Sequence, residues 1–355
     1  MSVPSRIGRS ERKTGGSFET RRRTPRRGTP VRSTRFVRKK APSDIEFKTP
    51  NDPTIIFTSL NSWYETDRKE YRITVNKIRK FLQKQLRKVL FHEKIFSDTL
   101  TKMMNLIDNR DYPQTDLVTL TKLKRFFDTG AIRQEAKTKL KSEEKVDVSE
   151  QAKLRQQGRE RRGRQESRLT DIQRYLDPIK NTVETYFDIG ASEGDITRTI
   201  RDYVNPNVTI AFDIDGKQET IDNIMFKRNK PGQIDEPDNN ADLVTVFMTL
   251  HHFEHLTQML KEIRRVLKPG GRLIIRDHDT STKYLALFFD FLHAYYMVVA
   301  GDEATPEEFV KSYISFYKSK DTWNELISDA GFKLLFRSFP KKVDFTNAFY
   351  SVFEK

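Results

Sequence analysis

The chain has 355 residues, a formal net charge of +15 and no cysteine. Because 36% of its residues are hydrophobic and 32% are charged, part of it must lie outside any packed core. The lack of cysteine excludes disulfides, cysteine-based zinc sites and thiol nucleophiles.

The N-terminal residues carry most of the positive charge. Residues 1–40 contain fourteen Lys and Arg against Glu11 and Glu19, and residues 1–50 are rich in Ser, Thr, Pro and Gly. Such a composition cannot bury enough apolar surface to fold, so we predict a disordered basic tail over 1–50. The run Arg21–Arg27 could bind RNA phosphates, direct nuclear import or keep the chain soluble. We predict RNA as its partner.

The compartment follows from two further absences in the sequence. No run of 18 apolar residues is present, and the N-terminus has no apolar centre of the kind found in secretory signals. We therefore expect a cytoplasmic or nuclear protein, or one associated with a virion, that is not secreted and does not bind membranes.

Residues 51–168 are predicted to form a basic helical region and linker. Apolar residues recur at three- and four-residue spacing, at Tyr71, Val75, Ile78, Leu82, Leu86, Val89 and Leu90. Basic residues occupy the other side, at Lys77, Lys80, Lys84, Arg87, Lys88 and Lys94. The apolar stripe could simply pack onto the rest of the chain, or the basic side could also follow an RNA backbone. A second basic run, Arg155–Arg168, is predicted to be a charged linker or helix.

A glycine turn follows the first strong strand pattern. The apolar run that begins at Tyr186 ends in Asp188-x-Gly190-x-x-x-Gly194, and a helical pattern follows. Strand, glycine turn and helix N-terminus in this order form a nucleotide-binding corner. Asp213 ends the next apolar stretch, about 20 residues beyond Gly194, where an acid binds ribose hydroxyls.

Four later elements complete an alternating α/β pattern. They are a strand at Asp242–Met248, a helix at Leu256–Val266, a Pro-Gly-Gly turn at 269–271 with its following strand, and a helix at Ser319–Gly331 leading into a strand. This order resembles class I S-adenosylmethionine-dependent methyltransferases over roughly residues 170–355. The resemblance implies a Rossmann-like, seven-stranded α/β domain over 169–355, with S-adenosylmethionine as cofactor. A dinucleotide-binding Rossmann domain is the alternative.

The resemblance also assigns cofactor residues. Gly190 and Gly194 are expected to lie against the methionine moiety, with Ser192 in place of the family's middle glycine. Asp213 is expected to bind the ribose, with Asp215 as the alternative. The remaining candidates are Asp188, which holds the turn or, through water, the cofactor's amino group, Thr249 at the end of the fourth strand, and Asp235 or Glu236 for the adenine.

Catalytic residues are less clearly marked. His278 lies between Asp277 and Asp279, and a neighbouring carboxylate could orient its imidazole as a general base. The alternative is a structural turn. His251 is a second candidate base. No spacing of ligands indicates a metal, so no metal site is predicted.

Two motifs of known acceptor classes are missing. Thr249-Leu250-His251 occupies the position where ribose 2′-O-methyltransferases of the Lys-Asp-Lys-Glu type carry their aspartate. The Asn/Asp-Pro-Pro-Tyr/Phe motif of exocyclic-amine methyltransferases is also absent there. A ring nitrogen such as guanine N7 carries its own lone pair and needs no base. We expect Arg276, Tyr295 and Tyr296 to line the acceptor pocket, with Tyr295 or Tyr296 stacked on a base. The alternative for the aromatic residues of this segment is packing in the core.

The sequence therefore favours methyl transfer to RNA, with the mRNA cap as a candidate and guanine N7 favoured over ribose 2′-O. The acid-His-Asp turn at 277–279 and the aromatic helix after it resemble a subgroup found in large DNA viruses and some protists. One alternative is a methyltransferase for a protein or small molecule. The other is a non-catalytic RNA-binding component of a virion or complex. The sequence identifies no protein partner.

Overall fold

The computed structural model describes residues 55–112, 114–129, 132, 165–214, 216, 218–301, 303–340 and 344–355. The predicted tail, the run Arg21–Arg27, most of the second basic run and Asp215 lie outside these residues. Within the described ranges, no helix is long and apolar enough to cross a membrane.

Within residues 55–129, apart from residue 113, the structure has four helices: α1 (Ile55–Thr66), α2 (Arg68–Leu86), α3 (Glu93–Ile107) and α4 (Asp116–Thr129). Asp67 caps α2 by accepting from the N–H groups of Lys69 and Glu70. The buried carboxylate of Asp116 accepts from the N–H groups of Ile56 and Phe57, both at 2.9 Å. The start of α4 is thereby fixed to the start of α1.

Eight strands form one sheet: β1 (Thr185–Ile189), β2 (Val208–Asp213), β3 (Glu219–Ile221), β4 (Ile224–Arg228), β5 (Ala241–Phe247), β6 (Leu267–His278), β7 (Lys333–Arg337) and β8 (Ala348–Glu354). Their order is β3-β4-β2-β1-β5-β6-β8-β7. The five strands from β4 to β6 are parallel, whereas β8 is antiparallel to β6 and β7. The predicted seven-stranded Rossmann-like sheet is confirmed, with β3 added at one edge.

The helices of this half are α5 (165–176), α6 (Asp195–Val204), α7 (Leu256–Val266), α8 (Lys283–Ala294), α9 (Pro306–Ser312) and α10 (Lys320–Asp329). A π-helical turn, Tyr295–Val299, follows α8. Apolar residues of α5 and α6 cover one face of the sheet, and those of α7 and α10 cover the other. The predicted helix at 256–266 is confirmed. The Pro-Gly-Gly segment lies inside β6, where the pairing with β5 shifts register.

The apolar stripe of α2 packs against the segment that separates β6 from α10. Phe81 meets the edges of Phe288, Phe291 and Tyr295, with ring centroids 5.1–6.3 Å apart. The four N-terminal helices and residues 285–317 share one hydrophobic core, so the expectation that the stripe packs onto the rest of the chain is confirmed. The other side of α2 leaves Lys80, Lys84, Arg87 and Lys88 exposed.

Candidate cofactor and acceptor site

The glycine turn brings the end of β1 into close contact with the segment after β5. Gly190 has φ +74°, and a Cβ there would lie 2.2 Å from Thr249 Oγ1. Gly194 begins α6 with φ +72°, and a Cβ there would lie 2.6 Å from the ring of Phe226. Both positions therefore require glycine, because of backbone conformation and because of space.

Asp213 lies at the carboxyl end of β2, beside this turn. Its Oδ2 accepts from the N–H of Ser192 at 2.8 Å. Ser192 itself has φ +50°, a left-handed conformation uncommon for a residue with a side chain. The bond fixes the carboxylate next to the turn, where the sequence analysis expects it. Thr249 also lies at this edge, over Gly190.

A cleft of about 640 Å³ opens beside the turn. Its walls are the turn itself, the starts of α5 and α6, the end of β5 and one later residue. The lining residues are Gln165, Arg168, Gly190, Ala191, Ser192, Glu193, Asp195, Ile196, Phe247, Met248 and Glu303. Met248 has φ +57°, and its N–H donates to Arg276 O at 2.7 Å. Strained backbone of this kind is concentrated at functional sites. The cleft thus lies at the carboxyl edge of the sheet, where ligands bind in this fold class.

Asp188 occupies a buried position, away from the cleft surface. It is 1% exposed, and its two oxygens accept from the hydroxyls of Thr197 at 2.5 Å and Thr245 at 2.6 Å. Thr197 belongs to α6 and Thr245 to β5, so the carboxyl group joins both elements to β1. Of the two roles predicted for Asp188, this geometry supports holding the turn.

The burial of Asp188 predicts a dependence of stability on pH. Desolvation raises the pKa of this carboxyl from 3.8 to about 6, although both threonine hydroxyls oppose the rise. As pH rises, the unfolded chain ionises first, so folding stability falls between about pH 4 and 6, by about 3 kcal/mol in total. Asp188→Asn removes this loss. The free energy of unfolding of Asp188→Asn minus that of the wild type should therefore increase by about 3 kcal/mol between pH 4 and 7.5, as measured by urea unfolding.

The exposed carboxylate of Asp235 supplies the control for this experiment. Asp235→Asn measures the effect of the same substitution at an exposed position across the same pH range. A constant difference from the wild type for Asp188→Asn would contradict a raised pKa in the folded protein.

Asp235 is not placed to bind adenine, which corrects the sequence prediction. Its neighbours Ile234 and Glu236 hold the side chain of Arg265 through their carbonyl oxygens. Arg265 lies in the last turn of α7, whose carbonyl accepts from Asn239 just before β5 begins. Asp235 therefore lies toward the amino edge of the sheet, away from the cleft. The alternative, Glu236, is paired with Lys227.

Asn229 is a better candidate for this role. It follows β4 directly, is 8% exposed, and donates its N–H to Asp213 O at 3.2 Å. Its Oδ1 is buried and has no hydrogen-bond partner among the described residues. Buried polar atoms normally have partners, so this oxygen fits a ligand that donates a hydrogen bond. A polar residue directly after a strand is the sequence signal for such a site. The charged residues at the end of β4 kept the sequence analysis from predicting that strand.

The two predicted catalytic histidines are both buried. His251 is 0% exposed, and its Nδ1 lies 2.8 Å from Asp277 Oδ1. His278 is 2% exposed, and its Nδ1 lies against the carbonyl oxygen of Thr346. The carboxylate of Asp277 therefore orients His251, and it contacts His278 only through the backbone N–H, at 2.7 Å. The expected pairing of Asp277 with the His278 ring is wrong.

Burial also makes these imidazoles poor bases. Desolvation holds the pKa of His251 and of His278 well below the ordinary value, so both rings are neutral near neutrality. Asp279 does not face the His278 ring, because its Oδ1 accepts from the N–H of Lys320 at the start of α10. In this conformation neither ring reaches a proton on an acceptor outside the core.

Two of the three predicted acceptor residues have other positions. Tyr295 is 4% exposed and packs edge-on against Phe81 and Phe127, so its ring is a core element and is closed to a stacked base. Arg276 lies over the Tyr350 ring in a separate cavity of about 200 Å³. Tyr296 is 46% exposed, and its hydroxyl accepts from Gln85 Nε2. It remains a candidate.

Comparison with known proteins agrees with this geometry. Residues 160–335 match a family model described as a methyltransferase domain. The ubiquinone/menaquinone biosynthesis C-methyltransferase UbiE of Ectopseudomonas mendocina is 28% identical over 163 residues, 41% of this chain and 64% of that protein. UbiE of Chromobacterium violaceum is 32% identical over 100 residues, 27% and 41% of the two chains. The chain thus spans less than two thirds of these relatives.

Solved structures with a similar domain include two further proteins. A putative sarcosine dimethylglycine methyltransferase from Galdieria sulphuraria has 14% identity and a TM-score of 0.40, over 54% of this chain and 85% of that one. An S-adenosylmethionine-dependent methyltransferase from Methanosarcina mazei has 17% identity and a TM-score of 0.40, over 51% and 96%. The family match, the strand order and the glycine turn define residues 160–335 as a class I methyltransferase domain. The cofactor of this class is S-adenosylmethionine.

Proposed function

We propose that this protein transfers the methyl group of S-adenosylmethionine to RNA. When bound, this cofactor would supply a methyl group to a nucleophilic atom of the acceptor, with the cofactor's sulfur leaving as a neutral thioether. The chain's own residues bind the cofactor, orient the acceptor and exclude water. The proposal rests on the cleft at the glycine turn and on the basic surface of α2.

The residues around the cleft fit the chemical groups of the cofactor. The anchored carboxylate of Asp213 suits the ribose hydroxyls, and the unpartnered oxygen of Asn229 suits the amino group of adenine. The cleft wall carries one basic residue, Arg168, which suits the carboxylate of the methionine part, and three acidic residues that suit its ammonium group: Glu193, Asp195 and Glu303. A volume of about 640 Å³ is in the range of cofactor sites.

The observation that favours RNA is the position of the basic face of α2. Tyr296 is hydrogen-bonded to Gln85 of α2, and the Lys84 ammonium lies 5.1 Å from the centroid of the Phe345 ring. Phe345 precedes Thr346, whose carbonyl contacts His278 at the carboxyl end of β6. The basic face therefore contacts a segment that also packs at the carboxyl end of β6. Basic residues next to aromatic rings are typical of surfaces that bind single-stranded RNA.

A ring nitrogen is the acceptor that needs least from this site. Deprotonation of a ribose hydroxyl requires an accessible base, and His251 and His278 are closed inside the core. Guanine N7 needs only orientation toward the methyl group and exclusion of water. We therefore favour guanine N7, including that of an mRNA cap, over ribose 2′-O.

Transfer of a labelled methyl group tests the acceptor class. The full-length protein is incubated with labelled S-adenosylmethionine and, in separate reactions, capped RNA, uncapped RNA of the same sequence, and protein. Nuclease digestion then locates the label. We expect label in 7-methylguanosine. Label in 2′-O-methylated nucleotides would contradict the ring-nitrogen acceptor, and label only in protein would contradict RNA as substrate.

A small-molecule acceptor is the second candidate function, because of the similarity to the UbiE C-methyltransferases over 41% of this chain. A ubiquinone or menaquinone precursor is therefore included as a further acceptor in the same assay. Label in this compound and none in RNA would favour the second function. Cofactor binding with no transfer to any acceptor would favour a non-catalytic RNA-binding role.

If the acceptor is RNA, the basic face of α2 should contribute measurably to RNA binding. Replacing Lys80, Lys84 and Lys88 together by Gln should weaken RNA binding and reduce the log–log salt slope by about two, because each phosphate contact on a single strand contributes about 0.7. Affinity is measured by fluorescence anisotropy from low to moderate salt. The matched control replaces three exposed lysines of other elements: Lys102, Lys261 and Lys311.

The control triple should keep the wild-type slope. Equal slopes for both triple variants and the wild type would place RNA binding elsewhere. The predicted tail is tested in the same way, with a chain that begins near residue 50.

A further inference from the structure

Three histidines from separate elements surround one point in the core. His251 follows β5, His278 ends β6, and His293 lies in the last turn of α8. One ring nitrogen of each lies within 4.8 Å of one ring nitrogen of each of the others. The ring centroids are 5.0, 5.3 and 5.8 Å apart. We refer to these three residues as the histidine triad.

The hydrogen bonds of the triad fix its tautomers. In each ring Nδ1 lies against an oxygen acceptor: Asp277 Oδ1 at 2.8 Å for His251, Thr346 O for His278, and Phe289 O at 2.8 Å for His293. A carboxylate or carbonyl oxygen cannot donate, so Nδ1 must carry the hydrogen. In a neutral ring Nε2 then carries a lone pair. The hydroxyl of Tyr317 also lies 3.2 Å from Nδ1 of His293.

Two of these lone pairs have no partner among the described residues. Nε2 of His251 and Nε2 of His278 are both buried without a hydrogen bond. Burying an acceptor without a donor costs free energy, and buried polar atoms in folded proteins normally have partners. The site therefore requires something that accepts electron pairs or donates hydrogen bonds.

We propose that the histidine triad binds a divalent transition-metal ion of the zinc class through its Nε2 atoms. A Zn–N bond of about 2.1 Å, with the ring centroid about 1.1 Å behind the nitrogen, puts the centroids of a tetrahedral set about 5 Å apart. The observed separations match this value. The protonation state of the rings is compatible as well. Three neutral imidazoles form a ligand set that suits Zn²⁺, Cu²⁺, Ni²⁺ or Fe²⁺.

The hydrogen bonds around the triad are those expected of metal-binding histidines. Metal-bound histidines usually donate their other ring N–H to a carboxylate or a backbone carbonyl, and all three do so here. Three protein nitrogens leave a fourth position for water or another ligand. The site is at the carboxyl ends of β5 and β6, next to the proposed acceptor region. The inference rests on the triad's geometry alone and is independent of the proposed function.

Metal content of the purified protein tests this inference. The full-length chain is prepared without a histidine tag, incubated with Zn²⁺, dialysed against metal-free buffer and measured by mass spectrometry. We expect about one zinc ion per chain. His278→Gln and His293→Gln should each weaken Zn²⁺ affinity by at least about 100-fold, measured by competition with a chelator.

His252 provides the matched control. Its ring centroid is 4.0 Å from that of His251, but its Nδ1 contacts the carbonyl of Ile314 and it is not part of the triad. His252→Gln should keep the wild-type zinc content. If it loses zinc as completely as His278→Gln does, the assignment of the ligands is wrong.

A second measurement tests the proposal on the wild-type protein, in case a histidine variant fails to fold. The metal-free wild-type protein is titrated with Co²⁺, and the visible absorption of four-coordinate Co²⁺ should saturate at a single site. Asp277→Asn, which keeps the shape of the residue that orients His251, should weaken binding about 10- to 100-fold. A folded wild-type protein with no zinc and no Co²⁺ absorption would overturn the proposal and indicate a buried water in the triad.

Discussion

Replacing Gly190 by alanine is expected to lower the affinity for S-adenosylmethionine roughly 100-fold. The added Cβ would lie 2.2 Å from Thr249 Oγ1 and 2.3 Å from its Cγ2, so the turn or Thr249 must move. Overpacking of this kind costs about 1–3 kcal/mol, and the left-handed backbone adds about 1–2 kcal/mol for a residue with a side chain. Displacement of the turn moves the cleft wall itself. Calorimetric titration of the variant measures the loss.

A variant at Gly270 distinguishes steric overlap from backbone strain as the cause of the lost affinity. It has φ +77°, close to that of Gly190, but a Cβ there would meet no atom within 4 Å. Gly270→Ala therefore carries the backbone strain without the clash and lies away from the cleft. It should lower the free energy of unfolding slightly and leave cofactor affinity unchanged. Equal loss of affinity in both variants would show that the contact between Gly190 and Thr249 does not shape the cofactor site.

The second large effect is expected at Asp213. Asp213→Ala removes the carboxylate that accepts from the Ser192 N–H and that we assign to the ribose. Loss of a charge-assisted hydrogen bond costs roughly 1.5–3 kcal/mol, so affinity for S-adenosylmethionine should fall about 10- to 100-fold. Asp213→Asn keeps the shape and one acceptor oxygen, and it should show a smaller loss. Calorimetry at constant pH measures both variants.

Two further aspartates serve as comparisons. Asp235→Ala should bind the cofactor like the wild type, because Asp235 lies toward the opposite edge of the sheet. Asp215→Ala tests the alternative ribose ligand, which lies outside the described residues. Undiminished binding by Asp213→Ala would refute its assignment, and a loss confined to Asp215→Ala would transfer the role to Asp215.

The elements that the sequence predicted are those with a strong local signal. The turn from Asp188 to Gly194 and the acid at Asp213 follow from strand patterns and from backbone angles that glycine adopts easily. The helix Leu256–Val266 was predicted with its observed bounds, because its apolar residues repeat at helical spacing. Together these elements specify the order of the sheet and the edge at which the cleft lies.

The residues whose positions were predicted wrongly are held by contacts between segments that are distant in sequence. Tyr295 belongs to an aromatic stretch, and nothing near it in sequence shows that Phe81 and Phe127 cover its ring. Asp277 is adjacent to His278 in sequence, but neighbours along a strand point to opposite faces, so its carboxylate meets His251 instead.

The sequence analysis did not single out the histidine triad, for the same reason. Ligand spacing along the chain detects sites that lie within one element or one turn. The histidine triad joins the ends of two strands to a helix, and the residues are spread over positions 251 to 293. Only the packing of α8 over the carboxyl edge of the sheet brings them together, and no local pattern encodes that packing.

Binding of S-adenosylmethionine to the full-length protein tests the central claim most directly. The ligand is titrated calorimetrically into the wild-type chain, with adenosine and methionine titrated separately as partial ligands. A class I methyltransferase domain with the cleft beside Gly190 should bind the intact cofactor at a single site, more tightly than either part. A folded protein that shows no saturable binding of S-adenosylmethionine would contradict the account.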